Sequence, residues 1–217
     1  MVKAVIFDMD GLMLDTERYG EAFHRRALEE RGIPFLEEVT ARITGRNHAE
    51  VRRILFEAYG EDYPFEEVRA RIGALWEEYL SENPVPVKPG LFELLEYLKK
   101  RDIPAAVATS TVRSIALSRL EKAGIAPYLS AMVFGDMVQK SKPEPDIFLT
   151  AAEKLRAKPE ETMVLEDSPN GILAAHRAGM LPVMIPDLLP PDEELQKLLY
   201  RRLERLDEVI PLLEEMV

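Results

Sequence analysis

Val5-Ile6-Phe7-Asp8-Met9-Asp10-Gly11 is the stretch that decides the fold. Its apolar run is short, rich in β-formers, and ends in two acids and a glycine. That is the pattern of a buried parallel strand delivering its last residues to a loop. Three later runs have the same form. Ala105-Ala106-Val107-Ala108 leads into Thr109 and Ser110, Met163-Val164-Leu165 into Glu166 and Asp167, and Leu181-Pro182-Val183-Met184-Ile185 into Pro186 and Asp187. Met132-Val133-Phe134, ahead of Gly135 and Asp136, is a weaker candidate. Helical patterns lie between them. Leu91, Leu94, Leu95 and Leu98 mark one apolar face, and Ile115, Leu117, Leu120 and Ala123 a second, closed by Gly124. Ile147, Phe148, Ala151, Ala152 and Leu155 mark a third, and Ile172, Ala175 and Ala178 a fourth, closed by Gly179. Alternating strands and helices predict an α/β fold, a doubly wound, Rossmann-like parallel sheet with helices on both faces.

Residues 16–83 break that alternation and read as helices throughout: Ala22, Phe23 and Ala27; then Val51, Ile54, Leu55 and Ala58; then Val68, Ile72, Leu75, Trp76 and Tyr79. Pro84-Val85-Pro86-Val87-Lys88-Pro89-Gly90 reads as the return linker. The expected organisation is an α/β core of residues 1–15 and 84–217, with a helical domain of residues 16–83 inserted after the first strand.

Composition narrows the function. The 217 residues are 47 % apolar and 31 % charged, enough for a sizeable core under a soluble surface, and the formal net charge is −11. A general nucleic-acid binder needs a Lys/Arg surplus and is not expected. The same charge repels anionic esters at long range, so a phosphate site must be a local cluster of lysine, hydroxyls, backbone N–H groups and a metal. Cysteine is absent, which excludes disulfides, thiolate metal sites and a cysteine nucleophile, and fits a cytoplasmic protein. Asp8 and Asp10 interrupt any signal-peptide apolar region, and no apolar stretch approaches the ~18 residues of a membrane span. No membrane association is expected, and a monomer is the default.

Ligands of open parallel sheets bind at the carboxyl ends of the strands. The fold reading brings Asp8 and Asp10, Thr109 and Ser110, the segment reaching Lys142, and Glu166 with Asp167 to that edge. Crowded carboxylates repel one another, and a hard divalent cation relieves this. Oxygen-only ligands point to Mg²⁺ rather than zinc. One lysine and a hydroxyl complete what phosphoryl transfer needs, charge neutralisation and positioning, and a carboxylate can serve as the nucleophile. Each short motif alone has a plainer reading. A lone Asp-x-Asp is usually a pair of solvated loop acids, Thr109-Ser110 an ordinary helix cap, and Glu166-Asp167-Ser168 a strand-to-helix turn with Asn170-Gly171 as turn residues. Lys140 competes with Lys142, which stands directly before Pro143-Glu144-Pro145.

Taken together, the four motifs resemble those of the haloacid dehalogenase superfamily, in that family's order and over nearly the whole chain. Asp8-Met9-Asp10-Gly11-Leu12-Met13-Leu14-Asp15 resembles its first motif, Thr109-Ser110 its second, Lys142-Pro143-Glu144-Pro145 its third, and Glu166-Asp167-Ser168-Pro169-Asn170-Gly171 its fourth. The subgroup with a helical cap in this place includes β-phosphoglucomutases and sugar-phosphate phosphatases. The resemblance implies that Asp8 attacks phosphorus and becomes an aspartyl-phosphate. Asp10 serves as general acid and then base, and its carbonyl binds Mg²⁺. Thr109, the Ser110 amide and Lys142 hold the phosphoryl oxygens. Mg²⁺ is ligated by Asp8, Asp10, Asp167 and Glu166, the last directly or through water. Gly11 lets the loop turn close to the phosphate. Gly45, Arg46 and Asn47 resemble the cap loop that reaches the substrate, with Thr111 as a core-loop contact, although Arg46 read alone is equally a surface arginine. Asp15 is expected to cap the helix beginning near Thr16. His24, His48 and His176 read as surface or helix residues, and Trp76 as cap core.

The resemblance implies a Mg²⁺-dependent phosphatase for a small phosphorylated metabolite, such as a sugar or polyol phosphate. A hexose phosphomutase is the alternative. β-Phosphoglucomutases carry a histidine five positions after the acid matched by Asp15, where this chain has Gly20. A dehalogenase is disfavoured by Asp10. A receiver-like or merely phosphate-binding module is remote, because receiver domains lack both the helical insertion and the Asp-x-Asp-Gly spacing.

Overall fold

Parallel pairing of β1 (Ala4–Phe7) with β2 (Ala105–Ala108) on one side and β4 (Thr162–Glu166) on the other sets the architecture. The structure, a computed structural model, describes residues 1–43, 48–188 and 190–216. β3 (Ala131–Val133), β5 (Leu181–Met184) and β6 (Arg201–Arg202) complete a sheet in the order β3-β2-β1-β4-β5-β6, parallel throughout. Every residue of β1, β2 and β4 is buried, which an all-parallel sheet requires because helices cover both faces. One face is closed by α7 (Asp146–Leu155) and α8 (Pro169–Arg177), whose Ile147, Phe148, Ala151, Ala174 and Ala175 pack with Ile6, Ala106, Ala108 and Val164. The alternate strand residues Val5, Phe7, Val107, Met163 and Leu165 face the other way and are fully buried. α5 (Leu91–Lys100) buries Leu91, Leu94, Leu95 and Leu98, and packs on α10 (Val209–Glu214).

Parts of this unit depart from the sequence reading. α6 (Arg113–Lys122) forms where expected, but it buries Ala116 and Leu120, one turn apart, and leaves Ile115 44 % exposed. Of the expected face Leu120 is buried, whereas Ile115 turns outward and the small Ala116 takes the inner position. β6, α9 (Glu193–Gln196) and α10 were not expected: β6 is two exposed arginines joined to the sheet by backbone pairing, which leaves no apolar run to read.

The chain divides into two compact units, Met1–Asp15 with Pro86–Val217, and Thr16–Val85. At the junction Leu14 bridges Val87 antiparallel, Asp15 N–H donates to the Pro86 carbonyl at 3.0 Å, and Lys88 N–H to that of Met13 at 3.0 Å. Asp15, read as a helix cap, lies 3.1 Å from the Lys88 ammonium, which also reaches Asp187 at 2.6 Å.

The second unit is helical: α1 (Thr16–Glu29), α2 (Glu37–Ile43), α3 (His48–Tyr59) and α4 (Phe65–Glu82). Its core joins Ala27, Leu28, Val39, Ile54, Leu55, Phe65, Val68 and Leu75. α2 was not expected as a separate helix, since only Val39 of its seven residues is buried. Trp76 is buried, edge-on to Phe23 at 5.0 Å between ring centroids. His24 is a helix residue of α1, one of the two readings given for it, and it is buried. Its Nε2 lies 3.4 Å from the Tyr63 hydroxyl, and burial holds its pKa below the ordinary value. Among the described residues no helix is long and apolar enough to cross a membrane.

Candidate active site

Strand order reverses at β1, where one neighbour is β2 and the other β4. That is the switch point of an open parallel sheet, where a crevice forms beyond the carboxyl ends. Asp8 follows β1 directly, and its N–H still pairs with the Leu165 carbonyl at 3.0 Å, so the sheet fixes its backbone. Thr109 is fixed in the same way by Val133 at 3.1 Å. The side chain of Asp8 is thus held at the end of a central, buried strand rather than on a free loop.

Lys142 is buried and satisfies all three of its donors. It donates to Asp8 Oδ1, to Glu166 Oε1 at 2.7 Å and to the Ala108 carbonyl at 3.0 Å. Lys140, its sequence competitor, is exposed. Burial alone would push the Lys142 ammonium down, but the carboxylates of Asp8 and Glu166 together outweigh it and hold the pKa well above the ordinary lysine value. Glu166 Oε2 accepts from the Ser168 N–H at 2.8 Å and hydroxyl at 2.9 Å. Ser168 also caps α8, its hydroxyl accepting from Gly171 N–H at 3.1 Å. A Cβ on Gly171 would collide with the Glu166 carboxylate, so this glycine, which as sequence reads as a plain turn residue, makes room for the acid.

For Asp8, burial is the largest influence, and it pushes the carboxyl up from 3.8 to about 8. Lys142 opposes this, while Glu166 and Asp10 add to it. One ammonium shared between two buried carboxylates only partly offsets burial, so the Asp8 carboxyl stays above its ordinary range. This has a measurable consequence. Between pH 3.8 and about 8 the native chain binds a proton at Asp8 that the unfolded chain has released. The stability this adds is complete below the unfolded value and is lost as pH rises through about 8. In EDTA, the urea midpoint of the wild type is expected to fall between about pH 6 and pH 9 relative to that of Asp8→Asn. Parallel curves for the two proteins would contradict the raised pKa.

Asp10 stands apart from the Lys142 pair. Its Oδ2 accepts from the Thr111 hydroxyl at 2.7 Å, and its Oδ1 lies 3.0 Å from Arg119 Nη1. Thr111 N–H in turn donates to Thr109 Oγ1 at 3.1 Å. Arg119 was missed from sequence. It lies on α6 with nothing beside it to mark it, and only the three-dimensional fold brings it to Asp10. Gly11 has φ +84°, and a Cβ there would strike the Asp167 carboxylate, so Asp167 lies against the backbone that follows Asp10. Ser110 is exposed beside the buried Thr109. Gly45, Arg46 and Asn47 lie outside the described residues.

Among the described residues, no three acid or histidine side chains converge into a ready-made metal cage. The donor set nonetheless suits a hard cation. Asp8 lies three residues before Gly11, Asp167 packs against Gly11, all donors are oxygen, and the carboxylates outnumber Lys142 and Arg119. Mg²⁺ commonly keeps several waters and takes one or two carboxylates plus substrate oxygens instead of a dedicated cage. Glu166 is the poorest candidate ligand, because Lys142 and Ser168 already engage both of its oxygens.

Comparison with known proteins identifies the family. The model of the haloacid dehalogenase-like hydrolase family matches residues 5–185. The chain is 41 % identical over 184 residues to a phosphorylated carbohydrates phosphatase of Thermotoga maritima, covering 82 % of each protein. It is 31 % identical over 188 residues to a β-phosphoglucomutase of Bacillus subtilis, covering 84 % of this chain and 82 % of that one. The crystal structure of a candidate β-phosphoglucomutase from Thermotoga maritima superposes with a TM-score of 0.80 at 34 % identity and covers both chains completely.

Proposed function

Because the chain belongs to the haloacid dehalogenase-like hydrolase family, we propose that it is a phosphatase for a small phosphorylated carbohydrate or polyol. The carrying observation is Asp8. It is one buried carboxylate fixed at the end of β1 and paired with Lys142, with Asp10 two residues on and separately held by Thr111.

In this reading Asp8 Oδ attacks phosphorus and the P–O bond to the sugar oxygen breaks. The leaving oxygen takes a proton from Asp10, giving the alcohol and an aspartyl-phosphate. Asp10 then takes a proton from water, whose oxygen attacks phosphorus. The bond to Asp8 breaks, and inorganic phosphate leaves. Thr109, the Ser110 amide, Lys142 and the close-turning Gly11 backbone line the place of the phosphoryl group. Asp8, Asp167 and the Asp10 carbonyl would hold Mg²⁺, with Glu166 reaching it through water. The ion supplies positive charge that keeps Asp8 ionised and offsets the charge of the phosphoryl group. The helical unit Thr16–Val85 is assigned the choice of ester, with Gly45, Arg46, Asn47 and the core residue Thr111 as the proposed selecting residues.

Likeness to a β-phosphoglucomutase gives the mutase reading its weight. Gly20 weighs against it. A Cβ at that position meets nothing within 4 Å, so packing does not forbid a side chain, yet the imidazole is absent. Phosphate release from p-nitrophenyl phosphate should require added Mg²⁺ and stop in EDTA. In Asp10→Asn it should slow by ~10²–10⁴-fold. Turnover unaffected by both changes would refute the assignment. β-Glucose 1-phosphate supplied with its bisphosphate should yield free phosphate, whereas accumulating glucose 6-phosphate would establish the mutase.

A further inference from the structure

We propose that Arg119 is a positioning residue for the Asp10 acid–base, an inference that rests on the phosphatase reading above. The two oxygens of Asp10 are held by unlike groups. Oδ1 lies 3.0 Å from Arg119 Nη1, and Oδ2 accepts from the Thr111 hydroxyl at 2.7 Å. A guanidinium only donates, so Oδ1 keeps a fixed donor beside it. A hydroxyl can donate or accept, so Thr111 tolerates Oδ2 with or without a proton. Proton exchange with the leaving group and with water is assigned to Oδ2, and Arg119 sets the carboxylate plane in which it occurs.

The setting favours a held geometry over a loose surface pair. The side chains of Arg119 and Asp10 are 14 % and 20 % exposed, and Ala116 and Leu120, which flank Arg119 on α6, are buried. The planar guanidinium loses little freedom for each bond it forms, which suits it to fixing a carboxylate. Thr111 also donates its N–H to Thr109 Oγ1 at 3.1 Å, so the clamp ties Asp10 to the same loop that presents Thr109 and Ser110.

The test compares phenyl phosphate with p-nitrophenyl phosphate, which are similar in shape but differ in how much the leaving oxygen needs a proton. In Arg119→Gln, kcat/KM for phenyl phosphate, which reads the step that releases the leaving oxygen, should fall ~10–100-fold further than kcat/KM for p-nitrophenyl phosphate, a part of what an acid–base group contributes. KM should change little, and Arg119→Lys should recover part of the loss. Equal losses on the two esters, or a change confined to KM, would overturn the proposal. If Arg119→Gln melts below the assay temperature, the same ester comparison on Arg119→Lys decides in its place. Failure of the wild type to turn over either ester in an Asp8-dependent way would overturn the phosphatase reading instead.

Discussion

Replacing Asp8 with asparagine is expected to lower phosphate release by ~10⁴-fold or more while leaving the fold intact. The amide keeps the shape of the carboxylate but cannot attack phosphorus. Glu166 is engaged by Lys142 and Ser168, and Asp10 is turned to Thr111 and Arg119. Stability should not follow activity. Asp8 is a buried acid whose ionisation burial opposes, so removing the charge relieves as much as it costs. Urea unfolding at pH 8 should therefore show a midpoint no lower than that of the wild type. Retained activity in a folded Asp8→Asn protein would eliminate Asp8 as the nucleophile.

Lys142→Met should do the opposite and strike both properties at once. The ammonium is the cation that Asp8 and Glu166 share in the interior. Methionine fills a similar volume and leaves those two acids buried with their cation gone. Breaking a buried pair from one side costs ~3–5 kcal/mol, a large fraction of a typical domain's ~5–15 kcal/mol. Activity should fall below detection as well, because the lysine both supports Asp8 and borders the phosphoryl site. Adding Asp8→Asn to Lys142→Met should not have the same effect on stability as Asp8→Asn in the wild type, since the lysine it pairs with is already gone. Additive losses in that cycle would show that the two side chains do not act as a pair.

Much of this was readable in the sequence because the site sits where strands end. Each strand of the central sheet is a short apolar run that stops at a polar residue, and parallel pairing carries those stops to one edge. Asp8, Thr109 and Glu166 could be located in that way before any coordinates. Less local features could not. Gly171 looks like a turn residue until the Glu166 carboxylate is seen against it. Arg119 is one of several charges on α6, and its partner lies 109 positions away. The apolar face of α6 was read only in part: Leu120 is buried as expected, but the large Ile115 is exposed while the small Ala116 is buried. β6 holds its place through backbone bonds, to which side-chain patterning is blind.

Rapid-quench trapping tests the nucleophile most directly. The wild type is mixed with substrate and Mg²⁺, quenched in acid within one turnover, reduced with borohydride and digested for mass spectrometry. An aspartyl-phosphate at position 8 would be reduced to the alcohol, so the peptide containing Asp8 should carry that mass change. The change should be absent without substrate and absent in Asp8→Asn. An unmodified Asp8 in a sample quenched during steady phosphate release, or the modification on any other acid, would contradict the central role assigned to Asp8.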